Sequence, residues 1–215
     1  MKMKIKLLLF VSVLFIFGSC SEKTKKSFWE NGNLKSELNY KDGKLNGIST
    51  WYYENGEKEL EAYYKDNVLD GPLKRWYENG VPETESFYID GKLNGLAVTY
   101  SSFGYKVLEE NYRNDTLTGK YYKYYNDGAP QVAGEYLDGL FHGRWIYYSN
   151  HGKIVGMGEF DKGSGTQKAW WPDGQIKREV SYVNNLKNGA ERWYGPDGKL
   201  EKVIYFEDGV EVDIP

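Results

Sequence analysis

Hydrolytic or transfer chemistry needs a nucleophile, a base and a group to orient the base, and this 215-residue chain offers few candidates for any of them. Its histidines are His142 and His151, and its one cysteine is Cys20. Two histidines and a single thiol cannot build a His-rich metal centre or a Cys/His zinc site without other ligands, so no metal is expected. Ser164 lies in Gly163-Ser164-Gly165, but the flanking pattern is not a nucleophile elbow, and neither that glycine pair nor Gly156-Met157-Gly158 precedes a helix able to cradle a phosphate. Glu37, Glu61, Glu85, Glu109 and Glu179 recur at fixed spacing, and carboxylates repeated so regularly read as a solvated face rather than an acid/base pair. No catalytic residue and no cofactor are expected, and the chain is read as a non-enzyme.

The cysteine carries chemistry of another kind. Lys2, Lys4 and Lys6 open the chain, an apolar run follows from Leu7 to Phe17, and Gly18-Ser19 precede Cys20, the order of a secretory signal. The run is short of the roughly 20 residues that span a bilayer. Phe17-Gly18-Ser19-Cys20 resembles the bacterial lipobox, with Phe where Leu is commoner, which implies cleavage after residue 19 and a lipid on Cys20. Residues 1–19 are therefore expected to be a signal peptide, 20–27 a polar tether and 28–215 the folded domain of an exported lipoprotein in the bacterial envelope. By lipoprotein sorting generally, Ser21 in place of Asp favours the outer membrane. Loss of the leader removes three Lys and no acid, leaving 25 basic against 31 acidic residues and a formal charge of −6. Nucleic acid is an unsuitable partner for such a chain.

These residues must be positioned by something other than helices. The 20 Tyr, 9 Phe and 7 Trp, beside 25 Gly, favour strands and tight turns. From Phe28 an aromatic stands every twelve residues through Tyr40, Tyr52, Tyr64, Trp76, Tyr88, Tyr100, Tyr112, Tyr124, Tyr136, Tyr148 and Phe160, and after a step of ten at Trp170, Tyr182, Tyr194 and Phe206. Two glycine series alternate between them, so the true period is 24. Asn31-Gly32, Asn55-Gly56 and their equivalents are expected to be tight turns, and Asp42-Gly43 with Gly47 a wider loop or bulged strand entry. The fold class is all-β, an elongated antiparallel meander of about eight 24-residue hairpins. In each first strand, residues such as Leu38 and Tyr40 share one face and Glu37 the other, giving a sheet with its aromatics on one side. The ten-residue step from Phe160 to Trp170 is expected to leave a notch.

Gly134 to Lys153, with its aromatic, Asp-Gly turn, second Gly and paired Tyr-Tyr, resembles the MORN repeat. Trp51-Tyr52-Tyr53-Glu54-Asn55-Gly56 and Trp76-Tyr77-Glu78-Asn79-Gly80 look more like its bacterial variant, found in proteins labelled antitoxins. The resemblance covers residues 28 to about 209. It implies a repeat scaffold for protein or lipid contacts, and an export signal suits immunity against an arriving toxin better than neutralisation of a cytoplasmic one. Candidate binding residues are Trp29, Trp51, Trp145, Trp171 and Trp193, which lie off the twelve-residue series and would anchor a protein partner if exposed; packing beneath Lys or Arg stems is the other reading. Phospholipid binding, or stacking of these Trp on glycan, are the competing functions.

Overall fold

The computed structural model describes residues 21–213, so the expected signal peptide and Cys20 lie outside the described residues. Hairpin arms follow one another in chain order, each pairing antiparallel with the next, from Glu22–Phe28 to Val210–Val212. Eight strands of eight residues, beginning with Leu34–Lys41 and Lys58–Lys65 and ending with Leu200–Glu207, are the first arms of the eight expected hairpins. The segment expected to be a tether instead starts the sheet: Glu22–Phe28 pairs along its length with Leu34–Lys41. Every one of its residues is exposed, and Lys23, Lys25 and Lys26 on an edge strand discourage pairing with another chain. Its polar composition reflects an edge position, which a linker and an edge strand share.

Both turn series form connections of the expected kinds, a tight turn at Asn31-Gly32 and its equivalents and a bulged strand entry at Gly47, but the tightest closure is at Asp42-Gly43. Asp42 and Gly43 both have positive φ, 51° and 82°, and close a two-residue hairpin between Lys41 and Lys44. Asn67, Asp115 and Asn185 hold the Gly43 position at φ between 65° and 71°, as their short polar side chains permit. At the opposite edge the loops are longer. Tyr53 N–H donates to Glu57 O at 2.8 Å and Gly56 N–H to Tyr53 O at 3.0 Å, and of Glu54, Asn55 and Gly56 only the glycine, at φ 92°, is left-handed. Gly47 lies in a bulge: Tyr40 pairs with Leu45 but Leu38 with Ser49, which leaves Asn46 and Gly47 as the extra pair.

The twelve-residue aromatics do not share one face. Cross-strand partners are Leu38 and Ser49, Ser36 and Trp51, so an odd-numbered residue faces the same way as an even-numbered one on the next strand. An even step of twelve therefore lands on the other face, and only a step of 24 returns. Tyr40, Tyr64, Tyr136, Phe160 and Tyr182 lie with the buried residues Ala62 and Val180. Tyr100 and Tyr124 instead reach Glu85 and Glu109 of the carboxylate row, at 3.4 and 2.6 Å. That row is a face of cross-strand ion pairs: Lys26 with Glu37 at 3.3 Å, Lys74 with Glu85 at 3.1 Å and Lys168 with Glu179 at 3.0 Å. Exposed pairs of this kind are each worth at most about 1 kcal/mol, so they serve solubility and register more than stability.

The ten-residue step is the loss of the bulge. Between Ile154–Asp161 and Ser164–Trp170 the register runs unbroken from Asp161↔Ser164 to Gly156↔Ala169. No notch results, because the hairpins on either side close over the short one. Asn185 Oδ1 accepts the Phe141 N–H at 2.8 Å and its Nδ2 donates to Gly139 O at 2.9 Å. Phe160, 5% exposed, is held between Phe141 and Tyr182, with ring centroids at 5.3 and 5.7 Å. Gly163 lies under Asn185, where a Cβ would meet the Asn185 backbone nitrogen at 2.9 Å.

Candidate functional site

The position one residue after each second-strand aromatic runs along one edge of the sheet as Trp29, Tyr53, Tyr77, Ser101, Tyr125, Ser149, Trp171 and Gly195. Where it is aromatic, its polar hydrogen reaches the next unit. The indole Nε1 of Trp29 donates to Tyr52 O at 3.0 Å and that of Trp171 to Tyr194 O at 3.0 Å. The hydroxyls of Tyr53, Tyr77 and Tyr125 donate to Trp76 O, Tyr100 O and Tyr148 O, each at 2.8 Å. Beside this ladder runs a second one, in which the Nδ2 atoms of Asn31, Asn55 and Asn79 donate to Glu54 O, Glu78 O and Ser102 O. Asp127, Asp173 and Asp197 keep the turn but have no N–H to donate, so there the second ladder stops.

Serine breaks the aromatic ladder twice, and each break opens a cavity. The one at Ser101 is about 350 Å³ and is lined by Tyr77, Tyr100 and Phe103, the last 82% exposed at its turn tip. The one at Ser149 is about 580 Å³, lined by Ile154, Val155, Trp170 and Pro172 with His151 and Lys153 at its rim. It adjoins a further cavity of about 470 Å³ beside Trp193, Lys177 and Arg178, and Trp171 forms part of both walls. The series of residue types down the edge was readable in the sequence; without the knowledge that this position reaches the next unit, its serines carried no signal.

The five candidate Trp residues have different fates. Trp145 is 3% exposed and cannot anchor a partner. Its ring lies against Phe141, Tyr136 and Tyr121 at 4.7, 5.0 and 5.4 Å, its Nε1 donates to Glu135 O at 3.1 Å, and Gly134 leaves the space that the ring fills. Sequence spacing missed this because the twelve-residue aromatics alternate between faces: Tyr148 lies on the carboxylate face, so Trp145, three residues before it, falls on the buried face with Gly134 and Gly158. Trp29 and Trp171 are ladder residues beneath Lys35 and Lys177, each 4.3 Å from the ring centre. Trp51 packs edge-on to Tyr64 at 6.4 Å, and Arg178 lies 5.1 Å over Trp193. All four keep partial exposure, and Trp171 and Trp193 are brought together in the cavity that adjoins the Ser149 groove.

Charge also lies where alternation along the strand offers no sign of it. Glu191 belongs to the buried face, 2% exposed, with Arg178 at 2.5 Å and Lys187 at 2.6 Å. Burial pushes its carboxyl up, but the hydrogen bonds from Arg178 and Lys187 outweigh that and hold it below the usual glutamate value. Burial raises Tyr136 to about 12 and takes Tyr147 higher still. His142 lies within a strand with Nδ1 3.4 Å from Asp161, and His151 is at an exposed turn, so the structure does not bring the histidines or Ser164 into a common site. Among the described residues no group of three His, Cys, Asp or Glu is placed to hold a metal.

Five segments, residues 22–42, 45–66, 69–90, 164–184 and 187–208, match the family model described as MORN repeat variant, and together they make up just over half of the chain. The hairpins continue through residues 91–163, which that model does not match. No curated protein matches the chain.

Proposed function

The chain belongs to the MORN-repeat-variant family, whose repeats are modules for protein or membrane contact, and from that premise we propose that it is a lipid-anchored, non-enzymatic scaffold that holds a partner protein in the bacterial envelope. Its most specific form is an immunity or antitoxin-like role against a toxin arriving from outside. The observation that supports protein binding is the Ser149 groove, where the edge ladder that ties the hairpins on either side is interrupted and apolar side chains are left open. Grooves with aromatic walls and a charged rim are the usual seats of binding hot spots.

Lipidation at Cys20 remains part of the proposal on the strength of Phe17-Gly18-Ser19-Cys20. Because the first strand begins at Glu22, a lipid there would hold the edge of the sheet directly at the membrane surface, with no flexible spacer. Phospholipid binding by the domain itself is the second reading, favoured by Lys23, Lys25 and Lys26 on that strand. Lys26 is already paired with Glu37 and Lys25 lies 4.5 Å over the Tyr40 ring, which leaves little free charge for head groups.

Crosslinking and affinity capture of the lipoprotein from its own envelope, with liposome flotation of the Cys20→Ser chain in parallel, tests the choice. One stoichiometric protein partner is expected. Strong flotation with no enriched protein would replace the scaffold by the phospholipid reading. Radiolabelled fatty acid is expected to enter the wild type, and incorporation that survives in Cys20→Ser would remove the anchor.

A further inference from the structure

We propose that the Ser149 gap is a docking pocket for one aromatic side chain, Tyr or Trp, flanked by a carboxylate and presented on an extended segment of the partner protein. This rests on the scaffold reading above and names what the partner must offer. The chain itself supplies the template. On one side of the gap Tyr125 donates to the carbonyl of Tyr148, and on the other Trp171 donates to that of Tyr194. Ser149 is the residue that would serve the equivalent carbonyl, that of Trp170, and its hydroxyl instead stays with its own loop, 3.3 Å from the N–H groups of His151 and Lys153. Among the described residues no side chain donates to Trp170 O. The missing ring and the missing donor are thus the two halves of one group, a phenol or an indole.

Size and exposure agree with that occupant. A cavity of about 580 Å³ takes an aromatic side chain with the backbone that carries it, and Ile154 and Val155 on its wall are 50% and 37% exposed. Charge specifies the flank. The walls of this cavity and the one adjoining it contain Lys153, Lys177 and Arg178 and no Asp or Glu, in a chain of formal charge −3. Arg178 is committed to Glu191 and Lys177 to the Trp171 ring, whereas Lys153 Nζ makes no ion pair among the described residues. A carboxylate beside the incoming aromatic meets it. The Ser101 gap is smaller, and its wall has no cation.

The pocket can be closed from within. Ser149→Tyr inserts the residue that the same position already carries at 53, 77 and 125, so the sheet should form normally, as circular dichroism will report. The probe is the peptide acetyl-Gly-Asp-Tyr-Gly-amide, titrated into the full chain in mild detergent and followed by Trp fluorescence. A saturable change is expected for the wild type and for Ser149→Ala, with binding at least tenfold weaker for Ser149→Tyr and for the control peptide with Leu in place of Tyr (the Leu peptide), and several-fold weaker for Lys153→Glu. No saturable change up to millimolar peptide, or Ser149→Tyr binding within twofold of wild type, overturns the proposal; should Ser149→Tyr misfold, the Leu peptide and Lys153→Glu decide in the same way. An envelope partner captured equally well by Ser149→Tyr would also overturn the pocket while leaving the scaffold intact.

Discussion

Trp145 and Gly134 should be energetically coupled, and the coupling can be worked from their geometry. Trp145 is 3% exposed within three neighbouring rings, and a Cβ added at Gly134 would fall inside the indole. Trp145→Leu removes most of an aromatic side chain from a packed site and leaves the Glu135 carbonyl without its indole donor; large-to-small changes of this kind cost about 2–5 kcal/mol. Gly134→Ala forces the indole off its seat, and overpacking typically costs about 1–3 kcal/mol. In the double variant the alanine methyl occupies space that the indole has vacated. Its penalty should largely disappear, so the double variant should be more stable than the sum of the singles predicts by about 1 kcal/mol or more. Equilibrium urea denaturation read by far-ultraviolet circular dichroism measures all four corners of the cycle. Repeat arrays can lose cooperativity, so midpoints are compared only where the slope is unchanged, with amide hydrogen exchange at Trp145 as the second measurement. Additivity within about 0.5 kcal/mol, the range found for independent sites, would refute the reasoning and assign Gly134 a purely backbone role.

Further predictions follow the charges and the ladders. Glu191→Gln should cost about 2–3 kcal/mol near neutral pH, because it leaves Arg178 and Lys187 facing a neutral group in a buried site. As the folded carboxyl titrates below its ordinary value, that stabilisation is complete above about pH 4.5 and lost as pH falls through the lower folded value; denaturation midpoints of the two proteins should converge in acid. Tyr136, raised to about 12, behaves oppositely: its contribution is complete below about pH 10 and is lost as pH rises from there toward 12, and Tyr136→Phe should remove that alkaline loss in a thermal melt. Asp127→Asn should restore the second ladder by supplying a donor toward Asn150 O and raise stability by about 0.5–1 kcal/mol; an unchanged midpoint would count against an energetic role for that ladder. Tyr125→Phe removes only the hydroxyl and should cost about 1 kcal/mol in the same assay, the loss of the bond to Tyr148 O.

The hairpins were legible from the sequence because their determinants are local. Asp42-Gly43 can adopt two positive φ angles in succession, and Asn67 and Asn185 can take the second place, so the number and phase of the hairpins were written into the turns. Asn31-Gly32 does close a tight turn, but which series makes the tightest connection was not legible, because both dipeptides suit either turn and the flanking strand register chooses between them. Residues 22–27 read as a tether for a related reason: a polar, Lys-rich run looks alike whether it is a linker or an exposed edge, and only pairing with Leu34–Lys41 distinguishes them.

The candidate site was legible in part. Trp29, Trp171 and Trp193 were singled out by falling off the aromatic rhythm, and Trp171 and Trp193 do meet in the cavity beside the Ser149 groove. Ser149 itself was silent, since a serine in a loop carries no signal until the reach of Tyr125 and Trp171 to the next unit is known. By itself the sequence determined strands, turns, period and the carboxylate row, all of which depend on φ preference and alternation within a dozen residues. Tertiary structure alone decided that Trp145 is buried over Gly134, that Glu191 lies between two cations, and that Asn185 seals the short hairpin by bonding to Phe141, 44 residues away. Those outcomes depend on which strands stand side by side after bulges have shifted the register, and a side chain's neighbours across a sheet are fixed by that pairing rather than by any property of the residue itself.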